Sequence, residues 1–224
     1  MNYNEKTLLS ILDELSYYDY SFNSQKIDYG ALDFLNNYFS FEYFYGASKV
    51  VIIPKSADYV IKIPFDEYYD EEFEEANPLE YANDSKLHCW DYCYNELYRY
   101  HIAKKNGFGH LFAKVKLLGK IDYRPIYIQE RVRTIQKTNK NYTKANENNR
   151  KKVITSLHSR NLAIGNIDLD WLCSVEKEYG TEFMVNFVEF LSKNEWDDDL
   201  HFNNVGYTRS DYLPIIFDYA GFMD

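Results

Sequence analysis

Between Phe41 and Ile63 three short runs of aromatic and β-branched residues follow one another: Phe41–Tyr45, Lys49–Ile53 and Tyr59–Ile63. Gly46 punctuates the first gap and Pro54-Lys55-Ser56-Ala57-Asp58 the second. Runs of this length and composition, bounded by turn residues, read as strands. They predict a three-strand meander, which commits this part of the chain to a sheet.

The flanking segments carry a different period. Residues 6–16 place Leu8, Ile11, Leu12 and Leu15 at helical spacing, and 30–38 do the same with Leu32, Phe34, Leu35 and Tyr38. These first forty residues read as a helical extension that braces the neighbouring lobe rather than as a partner-binding arm. The acidic run from Asp66 to Glu75 reads as a solvated loop. Residues 84–105 predict a helix with Trp90, Tyr94, Leu97 and His101 on one face, ended by Gly107 and Gly109. Leu111–Leu118 and Pro125–Glu130 predict two more strands, joined by a turn near Gly119 to Arg124. Residues 133–152 are polar and read as a linker or mobile loop, with a helix over 146–160. Phe183, Phe187, Phe190 and Leu191 mark a last helix ending near Asn194. This order predicts a small sheet lobe followed by a helical one.

At 224 residues the chain suffices for one large domain or two lobes around a cleft. With 46% hydrophobic and 27% charged residues it is expected to be globular and soluble. A formal charge of −10 argues against general nucleic-acid binding, which needs basic surface. It suits a basic partner or a plain solvated surface. No apolar run reaches membrane-spanning length and the first residues lack a signal-peptide pattern, so a cytoplasmic protein without membrane attachment is expected. Cys89, Cys93 and Cys173 form no CxxC pair and read as free cytosolic thiols.

The chemistry-bearing residues stand near the end. Asp199 is followed five residues later by Asn204, and Asp218 comes fourteen residues after that, behind the apolar run Tyr212–Phe217. A carboxylate, an amide and a second carboxylate in this order suit phosphoryl transfer. One carboxylate accepts a hydroxyl proton, while the amide oxygen and the other carboxylate hold magnesium against nucleotide phosphates. Upstream, Lys62 lies among aliphatic residues on an inner strand, where an unpaired ammonium would be costly. Glu96, on the helix between the third and fourth strands and off the Trp90/Leu97 face, is the candidate carboxylate for it.

In this order the motifs over roughly residues 41–222 resemble those of the protein kinase-like superfamily. Gly46-Ala47-Ser48-Lys49-Val50-Val51 sits where that family has its glycine-rich loop, with one glycine rather than three. Tyr59-Val60-Ile61-Lys62-Ile63 resembles the V-A-I-K strand, and Gln129-Glu130-Arg131-Val132 follows the fifth strand where the family has its hinge. The D-L-H-x-x-N pattern from Asp199 to Asn204 is similar to that of aminoglycoside and choline phosphotransferases. Asp218-Tyr219-Ala220-Gly221 stands in for D-F-G with its glycine one place late, and Asp197 occupies the position of the family's usual histidine.

The resemblance implies an α+β bilobal fold: a five-stranded antiparallel N-lobe with one main helix over 41–132, and a reduced, mainly helical C-lobe over 133–224, preceded by the 1–40 extension. It implies ATP and Mg2+ as cofactors, with Gly46, Ser48 and Lys62 on the phosphates and backbone groups of Glu130 and Val132 on the adenine edge. Glu96 would hold Lys62, Asn204 and Asp218 would bind metal, and Asp199 would be the catalytic base. The chain stops six residues after Asp218, where a protein kinase would begin its activation segment. That stop points away from a self-sufficient, loop-regulated protein kinase and leaves the acceptor open between a protein and a small molecule. The alternative is a catalytically weak pseudokinase, a nucleotide-sensing or inhibitory module that binds another protein.

Overall fold

The computed structural model describes residues 5–14, 29–45, 49–64, 92–121, 124–135, 144–197 and 199–219. The protein is mixed α+β and divides into two compact units, Met1–Tyr98 with Lys114–Arg131, and Arg99–Ala113 with Val132–Asp224.

In the first unit, β1 (Phe41–Tyr45), β2 (Lys49–Pro54) and β3 (Tyr59–Pro64) form the expected meander. Connections of three and four residues are too short for a parallel crossover, so the strands can only reverse. With β4 (Val115–Ile121) and β5 (Arg124–Glu130) they make one antiparallel sheet of order β1-β2-β3-β5-β4.

One face of this sheet is aliphatic. Val50 and Ile52 of β2, Ile61 and Ile63 of β3, and Ile126 and Ile128 of β5 are buried together with Leu8, Ile11 and Leu12 of α1 (Glu5–Asp13) and Leu35 of α2 (Tyr29–Asn36). Phe39, just past α2, joins them. Both helices are too short to persist alone in water. Each buried Leu or Ile side chain contributes about 1.5–3 kcal/mol, so the helices owe their existence to this face. The extension is therefore a brace on the sheet. A Cβ on Gly119 of β4 would lie 2.5 Å from Leu9 Cδ2, so that position stays bare where α1 crosses.

α3 (Tyr92–Lys105) runs across the boundary between the units. It ends as expected: Gly107 adopts φ 87°, and Phe108 N donates to Ala103 O at 2.8 Å. The expected buried face is corrected. Tyr94 and His101 are exposed and Leu97 only half-buried, while Cys93, Glu96, Arg99 and Ala103 form the buried stripe. Tyr and His keep their polar tips in water, whereas Glu96 is buried because its charge is met by lysines. Trp90 and the acidic 66–75 run lie outside the described residues.

The second unit is mainly helical, with α4 (Glu147–His158), α5 (Leu169–Tyr179) and α6 (Thr181–Lys193). α5 was not expected from the sequence, although Asp168 caps it by accepting from Trp171 N at 2.9 Å. Phe108 packs its ring against Phe183, Phe187 and Phe190 of α6 at 4.9–5.4 Å between centroids. A three-stranded antiparallel sheet of order β6-β7-β8 also appears: β6 (Val132–Thr134), β7 (Val205–Thr208) and β8 (Pro214–Ile216).

Two expected spans are thereby corrected. The polar 133–152 segment begins as strand β6 and ends inside α4, which starts at Glu147; its middle, 136–143, lies outside the described residues. The strand expected from Leu111 begins only at Val115. Ala113 N donates to Ile216 O at 2.7 Å and Phe112 bridges Ile216, so these backbone groups serve β8 instead. Cys93 and Cys173 are free and buried. Among the described residues no helix is long and apolar enough to cross a membrane.

Candidate functional site

Side-chain alternation in β3 decides what its lysine can reach. Ile61 and Ile63 enter the aliphatic face, so Val60 and Lys62 project from the other. Cross-strand register carries that second face along the sheet. Lys62 lies opposite Val51 and Tyr127, and Val60 lies opposite Gln129. Lys49, two residues before Val51, shares the side.

Glu96 of α3 meets this face. Lys62 Nζ donates to Glu96 Oε1 at 2.8 Å and to Oε2 at 2.6 Å. Lys49 Nζ donates to Oε1 at 2.7 Å, and Gln129 Nε2 to Oε2 at 3.4 Å. Glu96 is fully buried, and Lys49, Lys62 and Gln129 are at most 4% exposed. Desolvating three charges is tolerable only where they pair closely and share hydrogen bonds, as here. The expected Lys62–Glu96 pair is thus formed. Lys49 and Gln129 were not singled out by the sequence, since a lysine at a strand end ordinarily faces water. The signal for Lys49 was its phase: it keeps step with Val51, which only the register sets opposite Lys62.

The other residues expected around the nucleotide are placed as follows. Gly46 and Ser48 lie outside the described residues. Glu130 ends β5, and its N–H donates to Lys114 O at 2.8 Å. Val132 opens β6 opposite Thr208. Between them, Arg131 clamps the β2–β3 turn, with N donating to Asp58 O at 2.9 Å and Nη1 to Pro54 O at 3.1 Å.

In the second unit Asp199, Asn204 and Asp218 belong to one hydrogen-bonded cluster. Asn204 Nδ2 donates to the main-chain oxygen of Asp199 at 2.7 Å. The Asn204 carbonyl in turn accepts from Phe217 N at 2.9 Å and Asp218 N at 3.3 Å. Asn204, at 7% exposure, is therefore the pin that joins the loop carrying Asp199 to the segment carrying Asp218. Asp199 Oδ1 lies 3.2 Å from His201 Nε2.

The loop's surroundings are fixed from below. Leu200 is fully buried, and its carbonyl accepts from Asp168 N at 2.9 Å, tying the loop to the α5 cap. Tyr219, also fully buried, donates its hydroxyl to Ala113 O at 2.8 Å, and its carbonyl accepts from Arg99 Nη1. The Arg99 guanidinium lies over the Trp196 ring, 5.9 Å from the centroid. Asp218 thus precedes an anchored residue, while its own side chain is only half-buried. Asp198 and Gly221 lie outside the described residues.

Among the described residues no group of three or more His, Cys, Asp or Glu is arranged to hold a metal. The donor set nonetheless fits magnesium borne by a nucleotide. Asp218 offers a carboxylate, and Asn204, whose Nδ2 is spent on Asp199, offers its amide oxygen. Magnesium takes hard oxygen ligands from one or two protein groups and completes its shell with phosphate and water.

No family model, curated protein or solved structure matches this chain. The functional reading therefore rests on the residues themselves.

Proposed function

We propose that the chain is an ATP- and Mg2+-dependent phosphotransferase of protein kinase-like bilobal fold, acting on a protein hydroxyl or a small-molecule hydroxyl. The observation that carries this reading is the fully buried Glu96 holding Lys62 at 2.6 and 2.8 Å. Such a pair presents a fixed ammonium to an anionic ligand. The cluster of Asp199, Asn204 and Asp218 supports it from the second unit.

In the reaction the acceptor oxygen forms a bond to the γ-phosphorus as the bond from phosphorus to the β–γ bridging oxygen breaks. ADP leaves with that electron pair. Asp199 orients the acceptor hydroxyl and takes its proton. Lys62 holds phosphate oxygens, with Glu96 fixing its position. Asn204 and Asp218 would hold magnesium, which supplies charge neutralisation on the phosphates. Little covalent chemistry falls to the protein; positioning and electrostatics lower the barrier.

A second reading, a nucleotide-sensing protein-binding module, is favoured by one contact: His201 already lies 3.2 Å from the Asp199 carboxylate. Calorimetry with Mg-ATP, followed by transfer from γ-labelled ATP into a cell lysate, separates the two. Nucleotide binding with a labelled protein or metabolite supports the phosphotransferase. Binding without any transfer supports the module, and absence of nucleotide affinity overturns the phosphotransferase reading.

A further inference from the structure

The loop from Asp199 to Asn204 is held by bonds that involve no imidazole. Asn204 Nδ2 donates to the Asp199 main-chain oxygen at 2.7 Å, Asn204 N to His201 O at 2.9 Å, and Asp168 N to Leu200 O at 2.9 Å. The His201 ring adds two polar contacts of its own. Asn203 N donates to its Nδ1 at 3.2 Å, and its Nε2 lies 3.2 Å from Asp199 Oδ1.

Together these contacts assign the tautomer. A ring nitrogen that accepts from a main-chain N–H presents its lone pair, so the hydrogen of the neutral imidazole sits on the other nitrogen. That puts an N–H on Nε2, facing the Asp199 carboxylate. Because the backbone is held without the ring, the effect of this donor falls on the Asp199 side chain. Asp199 engages other groups as well, so His201 is one fixed donor within a larger setting. A neutral donor on one carboxylate oxygen restricts the rotation of the group and leaves its negative charge in place. A general base needs both, a defined direction and the charge.

We infer that His201 is a positioning residue that aims the Asp199 carboxylate at the acceptor hydroxyl by donating from Nε2 to Oδ1. The inference deepens the phosphotransferase reading and rests on it. The contact with His201 then prepares Asp199 for proton transfer instead of blocking it.

His201→Phe keeps an aromatic ring and removes the donor, while His201→Gln returns an amide N–H near the position of Nε2. Both are made in the full-length chain, with a thermal melt as the check on folding. Transfer from γ-labelled ATP into a cell lysate is followed at a series of Mg-ATP concentrations. The expected result for His201→Phe is an apparent kcat lower by about tenfold, as for one hydrogen bond to a charged group. The KM for Mg-ATP should stay at the parent value, because the lost interaction belongs to the base and not to nucleotide binding. His201→Gln should recover most of the rate. A His201→Phe rate equal to or above the parent's, or an equal loss in both variants, overturns the inference and leaves the phosphotransferase reading intact. So does a long-range proton–nitrogen NMR spectrum of the parent that puts the ring hydrogen on Nδ1. Absence of transfer by the unsubstituted chain overturns both.

Discussion

Glu96 and Lys62 lie 34 residues apart in the chain, yet both carboxylate oxygens of Glu96 accept from the Lys62 ammonium, at 2.8 and 2.6 Å. The pair is closed off from water on a sheet face whose reverse is packed with aliphatic side chains. Lys49 Nζ meets the same carboxylate, 2.7 Å from Glu96 Oε1. This relationship makes the first unit's polar face sensitive to single substitutions.

Glu96→Ala should therefore be among the most damaging changes in the molecule. It removes a carboxylate that two buried ammoniums share, and removing one partner from a buried ion pair costs about 3–5 kcal/mol. A urea titration should show the midpoint lowered accordingly. A change under about 1 kcal/mol would mean that the pair is open to water, where ion pairs contribute little.

Asp199 and Asp218 should behave in the opposite way. Their side chains are partly exposed and the loop is held by Leu200, Asn204 and Tyr219, so Asp199→Asn and Asp218→Ala should leave the melting curve near that of the parent. Phosphate transfer should fall by roughly 10²–10⁴-fold for Asp199→Asn, the range for a lost general base. Rates equal to the parent's in both variants would remove these residues from the site.

Gly206 faces a different constraint. A Cβ there would run into the main-chain oxygen of Arg133, so β6 and β7 would have to separate. The carbonyl of Gly206 also accepts from the Trp171 indole at 3.1 Å, coupling any shift to the buried centre of α5. Gly206→Ala should destabilise by about 1–3 kcal/mol, as overpacking does, read as a lowered thermal midpoint.

Glu176 sets an acid limit. Burial alone pushes its carboxyl up, but the hydrogen bonds from Lys152 and Thr181 and the Lys152 charge outweigh this and hold it below the usual range. A carboxyl depressed on folding contributes stability that is fully present above the unfolded value, about 4.3. That contribution is lost as pH falls through the lower folded value. The stability difference between the parent and Glu176→Gln should stay constant above about pH 5 and shrink below it. Chemical denaturation at a series of pH values would reveal it; a difference that grew on acidification would contradict the assignment.

The thiol of Cys173 offers a check on the second unit's core. Burial, reinforced by the Asp170 charge, pushes it up to about 11. It should resist alkylation at pH 8 in the folded chain and react once the chain is unfolded, as peptide mapping would record.

How far the sequence could be read follows from the range of each interaction. The meander was legible from Phe41 to Ile63, because alternation and turn residues act within a few positions. The lysine in Tyr59–Ile63 announced itself by being out of place among aliphatic neighbours, and Glu96 was found as the carboxylate on the intervening helix. The face of α3 was misread because Tyr94, Leu97 and His101 look apolar in a periodic pattern, while a paired glutamate does not. The α5 helix was overlooked despite its Asp168 cap and the buried Trp171, Leu172 and Val175, since charged residues interrupt the run.

By itself, then, the sequence determined the strand order up to Ile63 and the spacing of Asp199, Asn204 and Asp218, and it marked Lys62 as out of place and Glu96 as its candidate partner. Only the tertiary structure decided that Lys49 joins Glu96, that Gln129 lies beside it, that the first helices cover the opposite face, and that Val132–Thr134 pairs with Val205–Thr208. Periodicity assigns a side chain to a face of its own element. Which distant group meets that face depends on register and packing between segments far apart in the chain, where local pattern carries no information.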